Sequence, residues 1–219
     1  MQAHGPVSDG KLLKYIFLQV CQGLKSLHTS TLKCHLDLKL ENILVSEEGV
    51  LKLCDFGMVQ PIEQDLQKRQ GTQMYMAPEI EDKRFDETYR GVPADIFALG
   101  VLLWLLRFAA PPFAKASLYD KNYSVLQRNA DAFWRLHPSL KRQSAVIDED
   151  LQELLTSMLS SDVSKRPNSV EAVMQHRFFT KEAELIDPST NLWQDSDALK
   201  ASFTEKLFNC LASKRHEED

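Results

Sequence analysis

The stretch CHLDLKLEN, residues 34–42, places a carboxylate, a cation and an amide close together on an apolar background. These side chains belong to Asp37, Lys39 and Asn42, and a second carboxylate, Asp55, follows in the stretch CDFG. A carboxylate can orient a hydroxyl group, a cation can neutralise a phosphate, and carboxylate and amide oxygens can bind Mg²⁺. The pattern predicts phosphoryl-transfer chemistry. The alternative is a polar turn that caps a helix.

The segments around these residues predict how they are positioned. NILV and VLKLC flank the turn SEEG, so we expect a short hairpin in which Gly49 takes the turn's unusual dihedral angles. This hairpin would bring the two polar motifs together in space. Ahead of them, apolar residues at helical spacing predict an amphipathic helix over 10–29, with Ser8 or Asp9 near its N-terminal cap.

Further helices are predicted in the second half. The apolar run IFALGVLLWLL predicts a buried helix near 95–108 that ends at the following pair of prolines. Its eleven apolar residues are too few to cross a bilayer, which takes about 20. Amphipathic spacing predicts a helix over 151–159, and a capping box at Asn168 predicts another that runs to about His176. Residues 58–78 are polar and irregular, so we expect a long loop there.

Composition limits the class of partner and the compartment. Hydrophobic residues make up 43% and charged residues 26% of the chain, which is ordinary for a globular protein. A net charge of −5 argues against nucleic acid as the main partner. The four cysteines show no paired spacing, and the first residues lack the apolar core of a secretory signal. We therefore expect a cytoplasmic protein with reduced thiols and no membrane span, and the nucleus remains open.

Several motifs identify a resemblance to one family. HLDLKLEN at 35–42 resembles the catalytic loop of protein kinases, DFG at 55–57 resembles their metal-binding triplet, and APE at 77–79 resembles the end of their activation segment. Asp95 at the start of an apolar helix and Arg166 before the last helix match further landmarks of that family. One motif alone is weak evidence, but all of them occur here in the expected order.

The resemblance implies roles for five polar side chains. Asp37 would accept or orient the proton of the attacking hydroxyl, and Lys39 would meet the γ-phosphate of ATP. Asn42 and Asp55 would contact the nucleotide through Mg²⁺, or Mn²⁺ in its place. Thr72 would form hydrogen bonds near Asp37 and Lys39, as in kinases that act on serine and threonine. Lys39 points to the same branch of the family.

The resemblance also implies an adenine contact and a scaffold. Leu44 would lie under the adenine as an apolar floor; the alternative is an ordinary strand residue packed in the core. Glu79 and Arg166 would form a buried bidentate ion pair, and Asp95 would hold backbone amides of the catalytic loop. The residues expected to support the site are His35, Phe56, Gly57, Glu79, Asp95 and Arg166.

The implied fold is mainly α. Residues 1–179 would form a protein-kinase-like C-terminal lobe, a helical bundle with small β-hairpins, and 180–219 a tail in which 198–211 is compatible with a helix. The sequence lacks a G-x-G-x-x-G loop and a V-A-I-K lysine, which belong to the β-rich N-terminal lobe that covers the triphosphate. We expect a serine/threonine protein kinase whose activity as this chain alone is doubtful. The alternative is a kinase-derived pseudoenzyme that acts as a protein-binding scaffold.

The expected partners are ATP, a protein substrate with a serine or threonine acceptor, and an N-terminal lobe or scaffold protein. Within the family, KLEN and GTQMYMAPE resemble the calcium/calmodulin-dependent and AMP-activated kinase group most. Leu36 stands where many kinases carry an arginine that grips a phosphate on the activation loop. Residues 58–70 contain no serine, threonine or tyrosine, so phosphorylation within them cannot control the protein. Thr72 and Tyr75 are the nearest residues that could carry such a switch.

Overall fold

The fold is mainly helical, as the sequence predicted. A computed structural model describes residues 10–46, 49–82, 87–141 and 147–181, so the predicted cap of the first helix and nearly all of the tail lie outside the described residues. The helices of the described residues are α1 (Gly10–Ser30), α2 (Pro78–Glu81), α3 (Gly91–Phe108), α4 (Lys121–Arg128), α5 (Ala130–Leu136), α6 (Pro138–Lys141), α7 (Glu149–Met158), α8 (Val170–Met174) and α9 (Arg177–Thr180). The strands are β1 (Lys33–Cys34), β2 (Ile43–Val45), β3 (Leu51–Leu53) and β4 (Gln60–Pro61).

The helix α3 forms the centre of the core. It begins at Gly91, earlier than predicted, and most of its residues are buried on every side against α1, α7 and the loops. Its 18 residues are long and apolar enough to cross a membrane, but 83% of this window is buried inside the protein, which is the position of a core helix. It ends at Phe108, ahead of the prolines, because Ala109 turns into the left-handed region and its N–H bonds to Leu105 O.

A single glycine allows α3 to start where it does. A Cβ atom on Gly91 would lie 2.5 Å from Cys34 Sγ and 2.7 Å from Cys34 Cβ, which is closer than real atoms approach. The absence of a side chain therefore lets the first turn of α3 pack directly on β1. This contact places the catalytic-loop stretch, which follows β1, against the start of the core helix.

The two small sheets hold the loops that carry the polar motifs. β2 and β3 pair antiparallel, with Ile43 opposite Leu53, and Gly49 has φ 82° in the turn, so the predicted hairpin is confirmed. β1 pairs with β4 in a second antiparallel sheet. The predicted long loop is therefore not wholly irregular: it contains β4 and a 3₁₀ turn over Gln73–Tyr75.

The remaining helices differ from the predictions in their ends and number. The helix predicted over 151–159 is α7, which starts at Glu149 because the Asp148 side chain accepts hydrogen bonds from the first free N–H groups. The N-cap of α8 is Ser169 and not Asn168, since Ser169 has an extended backbone and its Oγ accepts from Ala172 N. The helices α4, α5 and α6 were not predicted, because they are short and mostly partly exposed.

Candidate active site

Asp37, Lys39 and Thr72 form a closed triangle of hydrogen bonds. Lys39 Nζ donates to Asp37 Oδ2 at 2.7 Å and to Thr72 Oγ1 at 3.0 Å. Thr72 Oγ1 in turn donates to Asp37 Oδ1 at 2.7 Å. Thr72 is 35 residues from Asp37 in sequence, so its arrival here depends on the course of the loop before α2. The triangle fixes the carboxylate and the cation side by side, with Asp37 almost fully buried and Lys39 partly exposed, so that a phosphate could meet the cation.

The triangle also sets the charge of Asp37. The Asp37 side chain is almost fully buried, and burial alone would raise its pKa. Hydrogen bonds from Lys39 and Thr72, together with the positive charge of Lys39, outweigh the burial and hold the pKa below its ordinary value. Asp37 is therefore ionised at neutral pH and can accept a hydrogen bond from an incoming hydroxyl group.

Asn42 is oriented by the same loop. It ends the 3₁₀ turn Leu40–Asn42, and its Nδ2 donates to Asp37 O at 2.8 Å and to Asp37 Oδ2 at 3.4 Å. The amide is thus held by its nitrogen, which leaves Oδ1 as the atom it can offer to a metal ion.

Asp55 is delivered to this region by the hairpin. Cys54 N donates to Asn42 O at 3.0 Å, directly beyond the last pair of the β2–β3 register, so the segments that carry Asn42 and Asp55 are neighbours. Asp55 has φ 60° and is exposed, and its Oδ1 accepts from Gly57 N at 3.4 Å. The structure therefore places both sequence-predicted metal ligands on adjoining segments.

Asp95 holds the backbone of the catalytic-loop stretch. Its two carboxylate oxygens accept from His35 N at 2.7 Å and from Leu36 N at 2.8 Å, which are the hydrogen bonds expected from the sequence. Leu36 has φ 64°, an unfavourable angle for a leucine, and these bonds together with its 6% exposure hold it there. His28, which sequence reasoning missed, is the third partner, at 2.9 Å from Asp95.

The side chains of His28, Cys34 and Asp95 lie as close together as the ligands of a metal ion, but the Asp95 carboxylate already accepts several hydrogen bonds. Potential ligand atoms of all three residues lie within 4.8 Å of one another. The oxygens of Asp95 are already used by three hydrogen bonds, and burial, followed by the charge of Asp95, raises the pKa of the Cys34 thiol to about 12. The Asp95 carboxylate holds His28 and the N–H groups of His35 and Leu36 together, so the group acts as a structural contact.

The expected ion pair between Glu79 and Arg166 is present and bidentate. Arg166 Nη1 and Nη2 donate to the two Glu79 oxygens, each at 2.7 Å, and Arg166 also donates to Ser160 O and Pro93 O. The arginine side chain is fully buried, whereas that of Glu79 is 20% exposed, so solvent reaches the glutamate but not the arginine. The pair ties the end of the loop to the segment before α8.

His35 contacts the segment that carries Phe56 and Gly57. His35 is buried, its Nε2 lies 3.2 Å from Cys54 O, and its ring is 5.5 Å from that of Phe56. Leu44 is 56% exposed, so the alternative that it is a core residue is wrong. Leu44, Phe56 and Met58 are exposed apolar side chains.

The segment 58–70 is tethered by residues that sequence reasoning did not find. Leu66 and Tyr89 exchange backbone hydrogen bonds of 3.0 Å in both directions, and Tyr89 Oη donates to Lys68 O at 2.8 Å. Arg90 bonds to Asp65 at 2.9 Å and to Glu63 O, and Arg69 pairs with Glu81. No motif signals these partners, because each is an isolated residue at a loop or helix end.

Comparison of the sequence with known proteins identifies the family of this chain. The sequence profile described as protein kinase domain matches residues 1–179. The chain belongs to the protein kinase family. It is 32% identical over 164 residues to "Probable serine/threonine-protein kinase CCRP1" of Zea mays, covering 74% of this chain and 24% of that one.

Two further relatives are similar to this protein kinase chain to the same degree. "Serine/threonine-protein kinase par-4" of Caenorhabditis elegans is 32% identical over 170 residues, 75% of this chain and 26% of its own length. "Serine/threonine-protein kinase PLK2" of Mus musculus is 31% identical over 170 residues, 76% of this chain and 22% of its own length. The chain therefore spans about a quarter of the length of these curated relatives.

Proposed function

We propose that this chain carries the catalytic-loop half of a serine/threonine protein kinase, which transfers the γ-phosphoryl group of ATP to a serine or threonine hydroxyl of a protein. The observation that carries the proposal is the hydrogen-bonded triangle of Asp37, Lys39 and Thr72. A polar turn that merely caps a helix would not need a threonine from a segment 35 residues away. The proposal is supported by family membership and by relatives described as serine/threonine kinases.

Each member of the triangle has a separate task in the proposed reaction. The substrate hydroxyl donates a hydrogen bond to ionised Asp37, which orients its oxygen towards the γ-phosphorus. As the new P–O bond forms and the bond to the leaving ADP oxygen breaks, the hydroxyl proton passes to Asp37. Lys39 neutralises negative charge on the transferred phosphoryl group. Thr72 holds the carboxylate in position and lowers its pKa.

The residues around Asn42 fit a magnesium ion. The amide oxygen of Asn42 and the exposed carboxylate of Asp55 form the all-oxygen set that Mg²⁺, or Mn²⁺, accepts together with phosphate oxygens. Bound there, the ion would neutralise phosphate charge. The chain's own contribution is to aim the Asn42 amide through its bond to Asp37 O, and to carry Asp55 on the hairpin. Leu44, exposed on β2, is proposed as the floor under the adenine.

We also propose that residues 1–179 represent the C-terminal lobe of the kinase fold. Among the described residues, the β-structure is limited to two two-stranded sheets, and apolar side chains of Leu44, Phe56 and Met58 are exposed. A nucleotide held only by this face would remain open to water on its other side. Efficient transfer would then need a β-rich N-terminal lobe, supplied by the same polypeptide or by a partner protein.

A second candidate function is a kinase-derived scaffold without catalysis. It is favoured by Leu36 at the position of the phosphate-gripping arginine and by the exposed apolar side chains of Leu44, Phe56 and Met58. The retained set of Asp37, Lys39, Asn42 and Asp55 favours the enzyme, because binding to a partner protein does not require these side chains. We propose placement in the calcium/calmodulin-dependent and AMP-activated kinase group on the stretches KLEN and GTQMYMAPE. We propose a cytoplasmic location because the cysteines show no paired spacing.

The test starts from the native polypeptide. An immunoblot of its own cells with an antibody against residues 180–219 gives the mass, to be compared with 25.0 kDa for this chain. The native protein is then purified and assayed with radiolabelled ATP and Mg²⁺ on a mixture of protein substrates, beside its Asp37→Asn variant and the matched surface variant Asp131→Asn, which makes the same chemical change at an exposed position of α5. Transfer that is lost only in Asp37→Asn supports the kinase. Transfer that is absent from the wild-type protein, or equal in all three, supports the scaffold.

A further inference from the structure

Two residues with left-handed backbone angles meet next to the triangle of Asp37, Lys39 and Thr72. Leu36 has φ 64° and Gly71 has φ 103°. Each directly precedes a member of the triangle, because Asp37 follows Leu36 and Thr72 follows Gly71. The contact between Leu36 and Gly71 is therefore a second point, besides the hydrogen bond from the Thr72 hydroxyl group, at which the two segments meet.

The contact leaves no room for a side chain at Gly71. A Cβ atom there would lie 2.8 Å from Leu36 O, closer than such atoms approach in folded proteins. Leu36 O is a backbone atom, so it cannot rotate aside as the end of a flexible side chain would. The positive φ of Gly71 is also unfavourable for a residue with a Cβ atom. The close approach and the backbone angle therefore both require glycine at this position.

The Leu36 side of the contact is fixed. Leu36 N donates to Asp95 Oδ1 at 2.8 Å, and the Leu36 side chain is buried. Asp95 is 1% exposed and also accepts from His35 N, so it has little freedom to follow a moving loop. We therefore expect a methyl group added at Gly71 to displace the segment that carries Gly71 and Thr72, and to leave the catalytic-loop stretch in place.

Such a displacement is large enough to open the triangle. Ordinary van der Waals contact begins at 3.4 Å, so Gly71 must retreat by about 0.6 Å, the difference between 3.4 Å and 2.8 Å. Thr72 Oγ1 donates to Asp37 Oδ1 at 2.7 Å, and an O–H···O hydrogen bond extends to only about 3.0 Å. Because Thr72 is joined directly to Gly71, we expect its hydroxyl group to be carried out of reach of Asp37.

We propose that Gly71 is a positioning residue, whose missing side chain lets the segment of Thr72 pack on Leu36 O and brings the Thr72 hydroxyl group to Asp37. Gly71 acts through Thr72 and not by contact with a reacting group. Its importance for phosphoryl transfer rests on the proposed function, in which Thr72 holds the Asp37 carboxylate in position for the substrate hydroxyl group.

A double-mutant cycle on the full chain tests the proposal without phosphoryl transfer. Thr72→Val should lower the equilibrium constant for folding about tenfold, as for the loss of a hydrogen bond to a charged group. In a chain that already carries Gly71→Ala this bond is already broken, so Thr72→Val should change the constant less than about twofold. Urea denaturation measures all four chains, in about 1 M trimethylamine N-oxide, which stabilises the folded state of the weaker variants.

Gly100→Ala is the matched control. Its methyl group would lie 2.9 Å from Met158 Cβ, on the side of α3 that faces α7, so it crowds the core at a different contact. Thr72→Val should still lower the folding constant about tenfold in this background. A tenfold effect of Thr72→Val that persists beside Gly71→Ala would show that the added methyl group leaves the triangle intact, and would overturn the positioning role.

A kinetic measurement then connects the contact with catalysis. In the native kinase, Gly71→Ala should lower kcat about tenfold while the KM for ATP stays within about twofold, because the displaced groups act on the transferred phosphoryl group and the acceptor. Gly100→Ala should leave both constants unchanged per folded molecule. An unchanged kcat in Gly71→Ala would overturn its role in transfer. A wild-type protein that transfers no phosphate would instead refute the proposed function, and the denaturation cycle would still decide whether Gly71 holds the triangle.

Discussion

Leu66 and Tyr89 hold the middle of the segment 58–70 against the residues in front of α3, through two backbone hydrogen bonds of 3.0 Å that run in opposite directions. Leu66 is 5% exposed, so its side chain adds a buried apolar contact to this bridge. The segment has no hydroxyl side chain to phosphorylate, and Leu36 could not bind a phosphate. The conformation of residues 58–70 is therefore set by contacts within the chain, and not by a phosphate added within these residues.

The first prediction concerns this tether. Arg90→Gln removes the ion pair with Asp65 and the bond to Glu63 O, so amides of residues 62–68 should exchange hydrogen with solvent about fivefold faster, the effect of losing about 1 kcal/mol of local stability. Hydrogen–deuterium exchange measured by mass spectrometry checks this. Arg128→Gln, at the end of α4, is the matched control and should change nothing there. Exchange in 62–68 that is equally slow in Arg90→Gln would show that Arg90 does not hold the segment.

The second prediction concerns the charge of Asp37. Thr72→Val removes a hydrogen bond that lowers the pKa of this carboxyl group, so its pKa should rise. A lowered pKa in the folded state stabilises the fold above the ordinary carboxyl pKa, and this stabilisation is lost as the pH falls through the lowered value. In Thr72→Val the stabilisation should therefore be smaller, and its loss should be complete at a higher pH than in the wild-type chain. Carbon NMR of the labelled carboxyl group follows the titration directly.

A conservative variant separates the hydroxyl group from the shape of Thr72. Thr72→Ser keeps the donor and should leave the titration of Asp37 close to that of the wild-type chain. Thr88→Val removes a hydroxyl group from another loop and should have no effect on it. If Thr72→Val and Thr72→Ser shift the titration equally, packing around the side chain sets the pKa, and the hydrogen bond does not.

Sequence reasoning predicted the local features well, for physical reasons. The hairpin at Gly49 and the helices α1, α3 and α7 follow from short-range rules, namely a turn residue between apolar runs and apolar residues at helical spacing. The hydrogen bonds of Asp95 and the pairing of Glu79 with Arg166 were expected only through the family resemblance, since periodicity says nothing of contacts 60 or 87 residues apart.

Contacts without a family motif were missed for the same reason. His28 is one residue among many on α1, and nothing in its neighbourhood in sequence indicates a bond to Asp95.

The misplacement of the α8 cap by one residue has another cause. Asn168 and Ser169 are both good cap residues, and Ser169 is the cap because its backbone is extended and its Oγ accepts from Ala172 N.

The third prediction concerns the stability contributed by Glu79. Glu79→Gln keeps the size of the side chain but leaves the fully buried Arg166 without its opposite charge. We expect the free energy of unfolding to fall by about 3 kcal/mol, the range found when one partner of a buried pair is removed. Urea denaturation followed by circular dichroism measures it. Glu153→Gln on α7 makes the same chemical change at an exposed position and should stay within about 0.5 kcal/mol of the wild-type chain. A loss equally small in both variants would mean that Ser160 O and Pro93 O satisfy Arg166 without Glu79.

The last prediction concerns the contact between β1 and the start of α3. Gly91→Ala would put a methyl group 2.5 Å from Cys34 Sγ, so α3 or β1 must shift, and we expect a loss of about 1–3 kcal/mol, as for other overpacked positions. Gly10→Ala is the matched control, because nothing lies within 4 Å of its added methyl group. Cys34→Ala removes the sulfur, so combining it with Gly91→Ala should cost less than the sum of the two single changes. Strict additivity in this double-mutant cycle, measured by urea denaturation, would show that the new methyl group and Cys34 Sγ do not meet and would contradict the proposed reason for a glycine at this position.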